Sequence, residues 1–188
     1  MKVTPLEIPD VLLVEPVVFG DARGFFMETF HAARYRAAGI DRDFVQDNFS
    51  FSRRGIVRGL HYQLHKPQAK LVYVTDGEVL DVAVDIRRGS PTFGRWCARV
   101  LSSGNRCQMF IPEGFAHGFC VLSECASFQY KCSAFYDPAD ERGIAWNDPD
   151  IGITWPVEDP VLSERDRRLP RLRDVDPSDL PIYRSPAG

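Results

Sequence analysis

The chain has 188 residues, of which 44% are hydrophobic and 26% are charged, a composition typical of one soluble globular domain. The formal net charge of −3 offers no general electrostatic attraction to nucleic acid or to an anionic membrane. The first residues lack a basic segment followed by a long apolar run, so we expect neither a signal peptide nor a membrane span.

The five cysteines are odd in number, and none forms a C-x-x-C pair. This pattern argues against a disulfide framework or a cysteine zinc site and favours reduced thiols in a cytoplasmic protein.

The first quarter of the chain predicts short strands at residues 11–15, 17–19 and 23–30. A helix is predicted from His31 to Ala38, ended by Gly39, because glycine commonly adopts the left-handed conformation that stops a helix.

Residues 46–52 alternate with a period of two, which predicts a strand with one polar face. The polar positions are Gln46, Asn48, Ser50 and Ser52. Such a face either contacts water or lines a pocket, and the histidine that follows at position 61 favours the pocket. The next strand carries Arg58 and His61 on either side of Gly59. A cation close to an imidazole suits a site that binds an anion and moves a proton.

Residues 69–75 and 78–86 are predicted strands separated by Asp76-Gly77, which indicates a β-hairpin. In the second strand, Leu80, Val82, Val84 and Ile86 share a face. Further strands are predicted at residues 95–101, 108–111, 118–122 and 126–135. About ten short strands with little helix favour an antiparallel sandwich or barrel over a doubly wound nucleotide-binding fold.

From residue 137 onward the chain is rich in aromatic residues and proline, which we expect to pack over the sheet. Residues 162–168 predict a short helical turn capped by Ser163. The tail, residues 173–188, is expected to pack loosely. We find no second domain, so the prediction is one domain spanning residues 1–188.

The segment from Pro112 to His117 matches the second histidine motif of cupin-type proteins, P-x-G-x-x-H. The first motif of these proteins is a pair of ligand histidines in the pattern H-x-H. It is incomplete here, because Gln63 stands where the second histidine after His61 would be. We therefore favour a cupin-type fold without metal over a metal-dependent oxygenase.

Four residues form a candidate proton-transfer set, each with a structural alternative. His61 is a candidate base or a structural histidine of the sheet. Asp166 could orient it or only form a capping box with Ser163. Tyr130 is a candidate acid or a core residue. Lys70 could stabilise an oxyanion or be a strand-edge lysine.

Several ordered motifs together closely resemble the dTDP-4-dehydrorhamnose 3,5-epimerase family. They are Asp21-x-Arg23-Gly24-Phe25-Phe26-x-Glu28, Gln46-Asp47-Asn48-x-Ser50-x-Ser52, Arg58-Gly59-Leu60-His61, Asp81-Val82-Ala83-Val84-Asp85-Ile86-Arg87, Gly89-Ser90-Pro91-Thr92-Phe93-Gly94, Ile111-Pro112-Glu113-Gly114-Phe115-Ala116-His117-Gly118-Phe119 and Trp146-Asn147-Asp148-Pro149. The resemblance implies an all-β, cupin-type double-stranded jelly roll with a few short helices. It also implies a homodimer that exchanges its N-terminal segment, and no metal or organic cofactor.

The implied reaction inverts C3 and C5 of dTDP-4-dehydro-6-deoxy-D-glucose to give dTDP-4-dehydro-L-rhamnose. By motif, His61 is the base, Asp166 its partner, Tyr130 the acid, and Lys70 lies near the enolate oxygen. The implied substrate-binding residues are Arg23, Glu28, Gln46, Asn48, Arg58, His117, Glu141 and Arg165.

Two alternatives stay open at this point. Phe49 and Phe135 depart from residues common in the family, which leaves room for a monofunctional 3- or 5-epimerase acting on a related dTDP-4-keto-6-deoxy sugar. A non-catalytic protein that binds sugar nucleotides is the alternative from another functional class.

Overall fold

Two antiparallel sheets form the framework of the protein, and the computed structural model describes residues 1–184 of it. The six-stranded sheet contains, in spatial order, β1 (Lys2–Pro5), β2 (Leu12–Glu15), β10 (Gln108–Ile111), β7 (Lys70–Asp76), β12 (Cys125–Cys132) and β5 (Gln46–Arg53). The five-stranded sheet contains β13 (Glu141–Gly143), β6 (Val57–Gln63), β11 (Phe115–Val121), β8 (Glu78–Asp85) and β9 (Trp96–Ser102). A separate hairpin joins β3 (Val18–Asp21) to β4 (Gly24–Met27). The all-β prediction is confirmed.

The main core lies between the two sheets and is formed by residues of both of them. Val72 and Phe128 of the six-stranded sheet pack in one cluster with Ala83 and Phe119 of the five-stranded sheet. Phe119 and Phe128 stack with their ring centroids 4.2 Å apart. The two sheets therefore face each other across this core, as in a face-to-face sandwich.

A second core covers the outer face of the five-stranded sheet. Val82, Val84 and Ile86 pack there against Ile151 and Leu172 from the C-terminal segment. Both predictions for this region are confirmed, since these strand residues share a face and the aromatic and proline-rich segment covers it.

One helix, α1 (Ala32–Ala37), packs on the outer face of the six-stranded sheet through the buried Tyr35. Gly39 follows it with φ +95°, a conformation that suits glycine. The predicted helix is confirmed to within one residue at each end.

The predicted β-hairpin at Asp76-Gly77 is wrong, because β7 and β8 belong to different sheets. β7 pairs with β10 and β12, whereas β8 pairs with β9 and β11. Gly77 turns the chain from one sheet to the other with φ +78°, and a Cβ there would lie 2.0 Å from the Cys125 carbonyl oxygen. Asp-Gly specifies a tight turn but not the partner of the strand that follows it.

Up to residue 184 the tail makes specific contacts with the rest of the chain. Leu180 is 6% exposed, and Ile182 forms a bridge with Arg88. The Arg87 guanidinium lies 4.9 Å from the ring centroid of Tyr183. Local composition missed these contacts because they are made with segments distant in sequence. Residues 185–188 of the predicted tail lie outside the described residues.

Candidate active site

A cavity of about 650 Å³ lies between the two sheets. Ten of the twelve residues predicted for the site line it: Gln46, Asn48, Arg58, His61, Lys70, His117, Tyr130, Glu141, Arg165 and Asp166. Their strands come from both sheets, so the cavity has two opposed walls.

The polar face of β5 forms part of one wall. Gln46, Asn48 and Ser50 line the cavity, whereas Phe49 and Phe51 on the other face are 65% and 55% exposed. The prediction that this strand turns its polar face to a pocket is therefore confirmed.

A β-bulge at Gly59 brings Arg58 and His61 to the same wall. In a regular strand, residues three apart point to opposite faces. Here His61 is opposite His117 and Arg58 is opposite Phe119, so β6 carries one more residue than β11 over this stretch. Gly59 has φ +119°, and a Cβ on it would lie 2.6 Å from the Gly118 Cα. Only glycine permits this local geometry.

His61 is held by a carboxylate from the C-terminal part of the chain. Its Nε2 lies 2.7 Å from Oδ1 of Asp166. When Nε2 donates to that carboxylate, Nδ1 keeps a free lone pair, since the closest carboxylate oxygen to it, Oε1 of Glu141, is 3.9 Å away. An imidazole with one nitrogen fixed and the other free has the arrangement of a general base.

Asp166 contacts both of the residues considered as its partners, Ser163 and His61. Its backbone N–H donates to Ser163 Oγ at 3.0 Å, so Ser163 does stabilise the start of the 3-10 turn Asp166–Arg168. The carboxylate itself points to His61. Burial opposes its ionisation, but the hydrogen bond from His61 and a further one from the Gly59 backbone hold the pKa of Asp166 below its usual value.

Tyr130 lies on the wall opposite His61, because it belongs to β12 of the six-stranded sheet. Part of its ring packs against the main core, while the residue lines the cavity. Burial raises the pKa of its hydroxyl to about 12. The group therefore keeps its proton at neutral pH and can act as an acid.

Lys70 enters the cavity from β7. Burial lowers the pKa of its ammonium from the ordinary value of 10.5, although Cys132, Glu141 and Asp81 nearby favour the charged form. No salt bridge of Lys70 occurs within residues 1–184. A cation without a fixed anionic partner is suited to a negative charge that forms on a ligand.

Sequence reasoning did not assign Asp81 to the site, although it is the partner of His117. The His117 Nε2 lies 3.0 and 3.1 Å from the two carboxylate oxygens of Asp81. Both residues are buried, and burial lowers the pKa of His117 while Asp81 opposes that shift. The sequence did offer one signal, since Asp81 lies within an apolar strand. An acidic residue in such a strand is seldom buried unless it has a partner.

The rim of the cavity has a second missed residue, Tyr136. Its hydroxyl donates to Oε2 of Glu141 at 2.8 Å, and the same carboxylate forms a salt bridge with Arg165. The sequence carried no local signal for this contact.

Arg23 and Glu28 are not brought to the cavity of their own chain. Arg23 lies in the turn between β3 and β4 and binds Asp21 with an N–O distance of 2.5 Å. Glu28 forms a salt bridge with Arg34. These two residues cannot complete a site in the same chain in this arrangement.

Across residues 1–184 there is no group of three or more His, Cys, Asp and Glu side chains placed to hold a metal ion. Over the same span, no helix combines the length and the apolar character needed to cross a membrane.

Comparison with known proteins adds an independent line of evidence. Residues 5–174 match the family model described as dTDP-4-dehydrorhamnose 3,5-epimerase. The dTDP-4-dehydrorhamnose 3,5-epimerase of Pseudomonas aeruginosa is 57% identical over 94% of this chain and 98% of its own length.

Solved structures show that the fold is shared along nearly the whole chain. The Legionella pneumophila dTDP-6-deoxy-D-glucose-3,5-epimerase, crystallised with dTDP-4-keto-L-rhamnose, superimposes with a TM-score of 0.96 at 49% identity, covering 98% of this chain and 99% of that one. A 3'-monoepimerase from Streptomyces bikiniensis in complex with dTDP-quinovose has a TM-score of 0.89 at 38% identity, covering 95% and 92%. The predicted cupin-type jelly roll is confirmed.

Proposed function

This chain belongs to the dTDP-4-dehydrorhamnose 3,5-epimerase family, and we propose that it inverts C3 and C5 of dTDP-4-dehydro-6-deoxy-D-glucose with His61 and Tyr130 as base and acid. The product is dTDP-4-dehydro-L-rhamnose, so the protein is an isomerase of dTDP-rhamnose biosynthesis. The observation that carries the residue roles is the placement of His61, fixed by Asp166, and Tyr130 on opposite walls of one cavity.

The chemistry follows from the ketone at C4. Both C3 and C5 are adjacent to this carbonyl, so loss of a proton from either carbon leaves an enolate. The free nitrogen of His61 takes the proton, and the Lys70 ammonium stabilises the enolate oxygen. Tyr130 then gives its proton to the opposite face of the same carbon, which inverts it.

Each inversion leaves a proton on His61 and removes one from Tyr130. The two groups must exchange protons with solvent before the next inversion, so hydrogen from water enters each inverted carbon. These steps use side chains of the chain alone, and the proposed reaction therefore needs no cofactor.

The decisive experiment is turnover of dTDP-4-dehydro-6-deoxy-D-glucose in D2O, with a reductase present to trap the product and NMR to locate deuterium. Label at both C3 and C5 in an L-rhamno product supports the double epimerase. Label at only one carbon would instead support a monofunctional epimerase. No label, together with tight binding of dTDP, would indicate a non-catalytic binding protein.

Lys70 should produce the alkaline limb of the pH profile. Its pKa is lowered from 10.5, so the ammonium is present below that lowered pKa and is lost as the pH rises through it. We expect kcat/KM to fall with a midpoint below 10.5. Tyr130 cannot cause this fall because its pKa is about 12. Lys70→Arg, which stays charged above a pH of about 12, should remove the limb. An unchanged limb in that variant would contradict the assignment.

We further propose that the active form is a homodimer in which the hairpin of β3 and β4 reaches the partner's cavity. Two observations support this. The hairpin lies outside both sheets and exposes Phe19, Phe25 and Phe26 to 62%, 56% and 69%, an apolar surface that favours contact with another chain. Arg23, although predicted to bind substrate, does not line the cavity of its own chain.

Mixing two inactive variants tests this exchange. If Arg23 serves the partner's site, dimers of Arg23→Ala with His61→Ala contain one complete site. Activity should then recover to about a quarter of the wild-type value, since half of randomly formed dimers are mixed and each has one working site of two. No recovery after subunit exchange would place Arg23 in its own chain's site.

We also propose a cytoplasmic location. All five cysteines, which lie within the described part of the chain, are free thiols, and such thiols persist in a reducing compartment. Fractionation of the native source would check this, and recovery with extracytoplasmic proteins would contradict it.

A further inference from the structure

The hydroxyl of Ser52 joins the two walls of the cavity. Ser52 is 3% exposed on β5, and its Oγ accepts a hydrogen bond from the Arg58 Nε at 3.0 Å. β5 belongs to the six-stranded sheet and β6, which carries Arg58, to the five-stranded sheet. The contact therefore crosses from one sheet to the other beside the cavity.

This bond leaves the rest of the guanidinium free. Arg58 is exposed and lines the cavity. Within residues 1–184, it forms no salt bridge, and its side chain makes no hydrogen bond other than the one to Ser52. The two terminal nitrogens thus remain available to a ligand, whereas the Nε–H is already satisfied.

A tethered arginine binds an anion better than a mobile one. A free arginine side chain loses rotamer freedom when it binds. Fixing Nε beforehand removes part of that loss and sets the plane of the guanidinium. The two terminal N–H groups then form a fork that matches two oxygens of a phosphate.

We infer that Ser52 is a positioning residue that holds Arg58 for the diphosphate of the nucleotide-sugar substrate. The inference rests on the proposed function for the identity of this ligand. Ser52 itself does not touch the reacting carbons. It should therefore affect substrate binding through Arg58 and leave the chemical step nearly unchanged.

The first test compares Ser52→Ala with the wild type by calorimetric titration of dTDP and by steady-state kinetics. We expect the Kd for dTDP and the KM to rise by about 5- to 20-fold, with kcat within about twofold, since a hydrogen bond to a charged group is lost. Ser52→Thr keeps the hydroxyl and should restore the Kd to within about threefold of the wild type.

Ser127→Ala is the matched control. Ser127 is half-buried on the neighbouring β12 opposite Phe51, and its hydroxyl makes no hydrogen bond with any described residue. The same truncation there should leave both Kd and KM at the wild-type values. A similar rise in Kd in both variants would assign the effect to general disturbance of the sheet and overturn the inference.

A double-mutant cycle separates positioning from a structural role. Arg58→Lys retains a positive charge but has no Nε to tether, so adding Ser52→Ala should change the Kd by less than about twofold. An equal loss of affinity in both backgrounds, or no loss in Ser52→Ala alone, would overturn the inference. Binding of dTDP without turnover would contradict the proposed reaction while leaving this test intact; absence of dTDP binding by the wild type would overturn both.

Discussion

Replacing His61 with alanine should lower epimerase turnover by on the order of 10³-fold or more. The loss follows from the removal of the group that accepts the proton, since Asp166 then faces a cavity without an imidazole. Binding should persist because the polar face of β5 and Arg58 are untouched. We expect the Kd for dTDP to stay within about threefold of the wild type, as measured by titration alongside the turnover assay.

His65→Ala is the control for this experiment, because His65 is exposed and outside the cavity. It should retain wild-type turnover. Substantial activity in His61→Ala, with deuterium still entering C3 and C5, would show that another group is the base. Loss of dTDP binding together with turnover would show that His61 serves binding as much as chemistry.

Replacing Tyr130 with phenylalanine should separate proton removal from inversion. The variant keeps the ring that packs against the core and loses only the hydroxyl. In D2O, His61 can still remove the proton from the substrate carbon and return a deuteron to the same face of that carbon. We expect the inverted product to form about 10²- to 10³-fold more slowly, whereas deuterium continues to enter the recovered starting sugar.

Tyr62→Phe provides a matched control. Burial also raises the pKa of Tyr62 to about 12, but its hydroxyl donates to the Asp179 carbonyl on the outer side of the five-stranded sheet. That variant should invert the substrate at the wild-type rate. If Tyr130→Phe slowed exchange and inversion equally, Tyr130 would not be a separate acid acting after the base.

The sequence predicted the features that depend on local alternation. The period of two in residues 46–52 identified β5 and its polar face, because successive side chains of a strand point to opposite sides. The same rule correctly grouped Val82 and Val84 of β8 with Ile86, which follows that strand, on one face. The helix end at Gly39 followed from backbone preference. Each of these properties is decided by residues close together in the chain.

Strand pairing was not predictable in the same way. Asp76-Gly77 indicated a tight turn, and a turn does occur there, but the strands on either side join different sheets. The choice of partners depends on β10, β11 and β12, which lie later in the chain. Local turn chemistry contains no information about them.

The candidate site likewise combines residues that the sequence identified with contacts that it could not show. Motifs identified ten residues that line the cavity, yet spacing could not show that Asp166 reaches His61 across 105 residues, or that Asp81 supports His117. Alternation alone would place Arg58 and His61 on opposite faces, and the bulge at Gly59 reverses that outcome.

The sequence by itself therefore determined the all-β class, the faces of the strands and the identity of most cavity residues, because residue type and period act locally. Only the tertiary structure decided which side chains meet, which wall each occupies and how burial shifts the pKa of Tyr130 and Lys70. Those properties arise from sheets that bring together distant parts of the chain and exclude water from the space between them.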